Sequence, residues 1–145
     1  HKQFRIEVHG DFEFYIFENS ASLKTYLGHD AVVEVPAFVT ATVTDELHET
    51  EVTRDLPVEK IGKTAFRGNE DIREVVLPET VVRIRDGAFQ GSGLESLDAP
   101  DSLLSIGAHA FADCPHLTTV NLSEATDQLG DAVTENSPQA MIMYR

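Results

Sequence analysis

One cysteine and six histidines are the residues of this 145-residue chain that could serve as nucleophile, base or soft metal ligand. A catalytic cysteine needs a neighbouring base and an electropositive surrounding that stabilises its thiolate. No such partner is visible near Cys114, so we interpret it as structural. His109 and His116 lie in one predicted loop, but no pair of histidines has the spacing of a zinc site. The histidines are His1, His9, His29, His48, His109 and His116.

Other short motifs lack the parts that their chemistry requires. Asp98-Ala99-Pro100-Asp101 does not have the ligand order of an EF-hand calcium loop. Gly91-Ser92-Gly93 is too short for a phosphate-binding loop and has no lysine. No serine is marked as activated by a histidine and an acid. We therefore predict no catalytic residue, no cofactor and no metal, and a hydrolase remains only a remote alternative.

The charge balance restricts the partners. The chain has 11 Lys and Arg against 25 Asp and Glu, which gives a net charge of −14. Such a surface repels polyanions, which argues against nucleic acid and anionic membranes as partners. No apolar run approaches the roughly 18 residues of a membrane span, so no membrane insertion is expected. A single cysteine excludes an intrachain disulfide and leaves the compartment open.

An internal repeat determines the predicted architecture. Residues 56–122 contain three copies of a unit of 21–23 residues, which begin at Leu56, Leu77 and Ala99. Self-similarity at this period is the signature of a solenoid. The apolar columns include Val58, Val81 and Leu103; Ile61, Ile84 and Ile106; Ala65, Ala88 and Ala110; Phe66, Phe89 and Phe111; Ile72, Leu94 and Leu117; Val75, Leu97 and Val120; and Leu77, Ala99 and Leu122.

The end of each copy predicts a strand. The pattern L-x-x-L-x-L recurs at 72–77, 94–99 and 117–122, where we expect parallel strands that pair one rung per copy. A second short element should end each arc, at 81–84 and 103–106. Alternation places every second side chain of a strand outward. The candidate ligand-facing residues of this ladder are Glu74, Val76, Ser96, Asp98, Thr119 and Asn121.

A small polar position recurs three residues after each phenylalanine of the repeat. It is occupied by Asn69, Ser92 and Cys114. We predict that these side chains face inward and bond turn backbone that would otherwise be buried without a partner.

Two motifs carry a family resemblance. Ile61-Gly62-Lys63-Thr64-Ala65-Phe66 and the run Ala110–Leu117, an A-F-x-x-C-x-x-L turn, resemble the BspA-like (Treponema-type) leucine-rich repeat family. The middle copy departs from the pattern, with Arg85 in place of glycine and Ser92 in place of cysteine. The resemblance covers about residues 23–122. Residues 37–55 exceed the usual spacing and could be an insertion, a hairpin or a cryptic extra coil.

The resemblance implies a fold and a class of function. It implies a mainly β leucine-rich-repeat solenoid with short parallel strands and turns. It also implies a non-catalytic protein-binding or adhesion scaffold of a bacterial surface, secreted or cell-bound, with a protein or glycan partner. A purely structural spacer segment of a larger surface protein is the alternative. No signal peptide is visible, and the start at His1 suggests an excised piece or a processed product.

The two ends of the chain should close the solenoid. Alternating apolar residues at 4–8 and 12–16 predict two strands of an N-terminal β cap within a first unit, residues 1–55, that also holds a degenerate repeat. An exposed aromatic ligand platform is the alternative for Phe12, Phe14, Tyr15 and Phe17. Residues 123–145 are a degenerate fourth repeat or a C-terminal cap. A cap, which we favour together with a monomer, would bury Met141, Met143 and Tyr144.

Overall fold

A computed structural model describes residues 4–145 as a solenoid of strands and turns, with no α-helix in that range. The strands are β1 Arg5–His9, β2 Phe12–Ile16, β3 Ala21–Tyr26, β4 Val32–Glu34, β5 Phe38–Asp45, β6 Thr50–Ile61, β7 Glu74–Val76, β8 Arg83–Ile84, β9 Ser96–Asp98, β10 Ser105–Ile106, β11 Thr119–Leu122, β12 Gln128–Leu129 and β13 Met141–Tyr144.

The predicted ladder is a five-stranded parallel sheet in the order β13-β11-β9-β7-β4. Strands β7, β9 and β11 are shorter than the predicted segments, because Ile72, Leu94 and Leu117 lie in the connecting segments before them. These three residues are fully buried. Each lies three positions before the first inward residue of its strand. Inward residues of a continuous strand are two positions apart, so these three residues cannot belong to the strands.

The second sheet has eight strands. Seven run in the order β1-β2-β3-β6-β8-β10-β12, and β5 pairs with β6 in addition. The first three strands are antiparallel, and the pairings from β3 to β12 are parallel. The predicted second element of each arc is therefore present, as strands β8 and β10. Each of these strands has only two residues, because the arc is short.

A column of aromatic rings fills the centre of the coils. The Phe66 and Phe89 centroids are 4.9 Å apart at an interplanar angle of 8°, and those of Phe89 and Phe111 are 5.2 Å apart at 15°. Tyr26 is the first member of the column, with its ring 5.8 Å from Phe66. Its N–H bonds the Ala65 carbonyl, just as the N–H of Phe66 bonds the Ala88 carbonyl. The hairpin of β5 and β6 separates Tyr26 from Phe66 in the sequence and interrupts the period of the column.

A left-handed residue recurs in the turn of each coil. Gly68, Gly91, Asp113 and Asn136 have φ of 73°, 74°, 56° and 58°. Asp and Asn are the residues other than glycine that tolerate this region best. The side chains of Asn136 and Gln90 donate to the Asp113 carboxylate, and these bonds lower the pKa of Asp113. The turns thus keep the repeat period into the fourth coil.

Of the three alternatives for residues 37–55, the structure shows a hairpin, formed by β5 and β6. Its inner face buries Val39, Ala41 and Val43. Its outer face exposes threonines that bond across the strands; Thr40 Oγ1, for example, donates to Asp55 Oδ1 at 2.5 Å.

The N-terminal hairpin differs from the predicted cap. Residues Phe14 and Ile16 of β2 are buried, but Phe4, Ile6 and Val8 are 55%, 47% and 57% exposed. The register explains the difference, because Ile6 pairs with Tyr15, an outward residue of β2. Both strands exist as predicted, but their role as a cap is not confirmed.

The C-terminal segment forms a fourth coil. Strand β12 pairs with β10, and β13 pairs with β11, both in parallel. Thr126 takes the place of Leu103 in the apolar column, and its hydroxyl donates to the Leu103 carbonyl at 2.6 Å. The side chains that a closing cap would bury, Met141, Met143 and Tyr144, are 61%, 46% and 52% exposed. In residues 4–145, β13 is an outer edge of its sheet.

Candidate functional site

The six predicted ligand-facing residues lie together on the outward side of the five-stranded sheet. Register pairs Glu74 with Ser96, and Ser96 with Thr119. Two positions further along the strands, Asp98 pairs with Asn121. Glu74, Val76 and Asp98 are exposed, whereas Ser96, Thr119 and Asn121 are half-buried. We call this surface the ladder face.

The structure extends the ladder face at both ends, which sequence reasoning missed. Val32 and Glu34 pair with Glu74 and Val76. Met141 and Met143 pair with Thr119 and Asn121. Applying the strand alternation to residues 32–34 and 141–144 would have found these four residues. The complete face has two rows: Val32, Glu74, Ser96, Thr119 and Met141; then Glu34, Val76, Asp98, Asn121 and Met143.

Charge and polarity are graded along the ladder face. The carboxylates Glu34, Glu74 and Asp98 stand on the strands toward the N-terminal end, and Met141 and Met143 stand at the other end. Neither row contains a lysine or arginine. Carboxylates only accept hydrogen bonds, while methionine adapts to irregular apolar surfaces. The face therefore suits donor-rich, positively charged groups at one end and apolar groups at the other.

A hydrogen bond holds the centre of the ladder face in place. Asn121 Nδ2 donates to Asp98 Oδ1 at 2.6 Å. The rows contain neither histidine nor cysteine, and their ionisable groups are the carboxylates Glu34, Glu74 and Asp98. This arrangement of hydrogen-bonding and charged groups can recognise a partner.

Cys114 lies inside the coil, as predicted. Its side chain is fully buried, and Sγ is 3.2 Å from the Phe89 carbonyl oxygen and 3.7 Å from Ser92 Oγ. Ser137 continues the column: its hydroxyl donates to the Phe111 carbonyl at 2.7 Å and accepts the Cys114 N–H at 2.9 Å. Asn69 donates to the Gly28 carbonyl at 3.1 Å. The predicted role of this column, to satisfy turn backbone, is confirmed.

Native Cys114 should resist thiol reagents. Burial raises the pKa of its thiol, so the reactive thiolate is scarce as well as inaccessible. At pH 8 we expect the folded chain to react on the order of 100-fold more slowly with an aromatic disulfide reagent than the chain unfolded in guanidinium. The unfolded sample is the control and should release one equivalent per chain. Equal rates in the two samples would contradict the buried position.

The remaining candidate groups are dispersed. Across residues 4–145, no three or more His, Cys, Asp or Glu side chains are grouped so that they could hold a metal ion. His109 Nε2 is 3.9 Å from a Glu135 carboxylate oxygen, while His116 is exposed on the turn after Cys114. The described residues also contain no helix with the length and apolarity that crossing a bilayer demands. His1 lies outside them.

Comparison with known protein families finds one family model that matches most of the chain. The model is described as a BspA type leucine rich repeat region of 6 copies, and it matches residues 45–143. The match spans all three predicted repeats, part of the inserted hairpin and most of the fourth coil. A search of curated proteins finds no match.

Solved bacterial structures share the fold. A leucine-rich repeat protein from Bacteroides capillosus aligns with a TM-score of 0.74 at 23% identity, over 97% of this chain and 98% of that one. The Treponema pallidum leucine-rich repeat protein aligns at 0.68 and 24%, over 97% of this chain and 61% of its own. A leucine-rich cell surface protein from Faecalibacterium prausnitzii aligns at 0.67 and 20%, over 97% of this chain and 43% of its own.

Proposed function

The chain belongs to the BspA-type leucine-rich repeat family, and from that premise we propose that it is a non-catalytic scaffold that binds a partner through its ladder face. The observation that carries this proposal is the continuity of the face. Five strands align two rows of outward side chains, and no lysine or arginine interrupts them. The family relationship and the surface protein of Faecalibacterium prausnitzii support a place in a bacterial surface protein.

The chemistry of the ladder face favours a partner with a basic surface. Glu34, Glu74 and Asp98 provide three carboxylates on neighbouring strands, which lie about 4.8 Å apart. The net charge of −14 adds a long-range attraction that speeds encounter with a cationic surface. Val76 and the two methionines offer apolar contact beside these charges. A protein with a basic patch fits this combination best, and a polar glycan would engage the Ser96, Thr119 and Asn121 groups.

The proposal is tested by capture followed by direct binding. Full-length protein would be used to capture partners from host and bacterial surface extracts, and each captured protein would be purified and titrated. The variant Glu74→Ala, Ser96→Ala, Asp98→Ala, Thr119→Ala should weaken binding at least about 10-fold, because the central contacts of an interface carry most of its energy. We also expect binding of the unchanged protein to weaken with salt.

A matched control separates the face from net charge. Glu124 and Asp127 are exposed in the arc after β11, outside both rows. The variant Glu124→Ala, Asp127→Ala also removes two negative charges, but from outside the ladder face, and it should bind like the unchanged protein. Equal losses in both variants would exclude a specific ladder face.

The spacer is the second candidate, and the coil-to-coil pairing of the two sheets favours it, because each coil of a solenoid is held by its neighbours and needs no other partner. A spacer contacts only its neighbouring coils. The spacer hypothesis predicts that any captured partner binds the ladder variant and the control variant with the same affinity.

A further inference from the structure

Positive charge is concentrated on the outward face of the eight-stranded sheet, although the chain as a whole is strongly acidic. Five of the 11 Lys and Arg residues lie there or at its immediate border. They are Lys24, Lys60, Lys63, Arg83 and Arg85. The ladder face has the opposite sign in its rows, so the solenoid presents two outward surfaces of different chemistry.

Strand register brings these cations together. Tyr15 pairs with Ser22, Ser22 with Lys60, and Lys60 with Arg83, which forms one row across β2, β3, β6 and β8. A β-bulge makes the row possible. The pairings Ala21 with Val58 and Ser22 with Lys60 leave one extra residue in β6, and this residue reverses the alternation. Without it Lys60 would point inward, as Val58 does.

Aromatic rings form one wall of a groove beside this row. The Phe4 and Tyr15 centroids are 5.1 Å apart in an edge-to-face arrangement, and those of Phe4 and Phe17 are 5.9 Å apart. Together with four of the cations they line a groove of about 450 Å³. Phe4 is 55% exposed, so this wall of the groove is open to solvent.

Arg85 enters the groove through a departure from the repeat. The equivalent position is glycine in three other coils, Gly62, Gly107 and Gly130, where a side chain would meet the preceding coil; a Cβ on Gly62 would lie 2.6 Å from the Leu23 carbonyl oxygen. In the middle coil an arginine stands there and lines the groove.

The acidic groups near the groove leave part of its charge uncompensated. Glu13 pairs with Lys24 at 3.1 Å. Asp86, beside Arg85, accepts a hydrogen bond from the Ala108 N–H at 2.9 Å. Within residues 4–145, neither the Lys63 nor the Arg85 side chain makes an ion pair or hydrogen bond. Two cations therefore face the groove with their donors unused.

We propose that this groove binds an anionic oligosaccharide, one whose sugars carry carboxylate or sulfate groups. Lysine and arginine supply charge-assisted hydrogen bonds to such groups, and the aromatic wall packs against the apolar C–H face of a sugar ring. The volume is that of a small-molecule site. The floor strands β2, β3 and β6 are paired on both sides, so an acidic peptide cannot bind there by adding a strand. A densely charged polyanion such as nucleic acid is opposed by the net charge.

The test is calorimetric titration of the full chain with four probes at low and at physiological salt. The probes are a galacturonic acid tetrasaccharide, a heparin-derived tetrasaccharide, neutral maltotetraose and tetraglutamate. We expect saturable binding of at least one acidic sugar, weaker at the higher salt, and no detectable binding of maltotetraose. Which acidic sugar binds more tightly distinguishes carboxylate from sulfate recognition.

Paired variants locate the site. Arg85→Glu and Tyr15→Ala should each weaken binding at least about 10-fold. Their controls are Arg67→Glu and Tyr144→Ala, which make the same changes at exposed positions outside the groove and should have no effect. Thermal melts of all four verify folding. Because the groove and the ladder face are separate, the ladder variant should bind the sugar normally, whether or not the ladder face has a partner of its own.

The proposal would be overturned by an absence of binding to both acidic sugars. Equal losses in Arg85→Glu and Arg67→Glu would also overturn it, since they would indicate general electrostatics. Tighter binding of tetraglutamate than of either sugar would replace the sugar with an acidic peptide.

Discussion

Replacing Phe89 with alanine should lower the free energy of unfolding by about 3–5 kcal/mol, which is the usual cost of removing a large buried side chain. Phe89 is fully buried, and its ring lies between those of Phe66 and Phe111 at centroid distances of 4.9 and 5.2 Å. The cavity cannot close easily, because backbone hydrogen bonds fix the spacing of the coils on both sides. The Phe66 N–H bonds Ala88, and the Phe89 N–H bonds Ala110.

Urea unfolding measures this loss, with Phe38→Ala as the matched control. Phe38 is 56% exposed on the hairpin, so the same truncation there should change stability by no more than about 0.5 kcal/mol. The conservative Phe89→Leu should fall between the two. A midpoint for Phe89→Ala equal to that of Phe38→Ala would mean that the column does not hold the coils together. A change in slope instead of midpoint would indicate that the coils no longer unfold as one unit.

The repeated part of the fold could be predicted because each position is sampled three times. One apolar residue is weak evidence of burial, but Phe66, Phe89 and Phe111 in one column exclude coincidence. The same logic identified the six central residues of the ladder face, since alternation fixes the side of each once the strand is placed. The predicted ends of the strands were less accurate. Ile72, Leu94 and Leu117 are buried just before the strands, and in a sequence a buried apolar residue there looks the same as one within a strand.

The unrepeated parts could not be resolved in this way. The apolar alternation of Phe4, Ile6 and Val8 predicts one buried face, but pairing with β2 places that face outward, and a one-residue choice of register decides between the two. The groove on the eight-stranded sheet depends on Tyr15, Lys60 and Arg85, whose spacing follows no period. Of the four residues in the aromatic-platform alternative, Tyr15 and Phe17 line the groove, whereas Phe14 is buried and Phe12 packs against the core.

Deleting residues 128–145 should cause the second large effect, an early thermal transition and self-association of the shortened chain. The deleted coil covers the third coil. The Val133 carbonyl accepts the Phe111 N–H at 2.9 Å, and the Glu135 carbonyl accepts the Asp113 N–H at 2.8 Å. Val133 is buried, and Ile142 packs against the core. Losing this coil exposes the apolar end of the third one and leaves the edge of β11 unpaired, so we expect a loss of at least about 3 kcal/mol.

The exposed side chains of β13 require their own control, because they could drive association in the full chain. Met141→Ser with Met143→Ser keeps the coil and its backbone pairing but removes two side chains that are 61% and 46% exposed. This variant should melt close to the unchanged protein. Light scattering should find the full chain monomeric, since its acidic surplus opposes association even though physiological salt screens part of it. If the shortened and full chains melt and scatter alike, the fourth coil does not cover the third. If the full chain associates and the double serine variant does not, the exposed methionine side chains of β13 are themselves a contact surface.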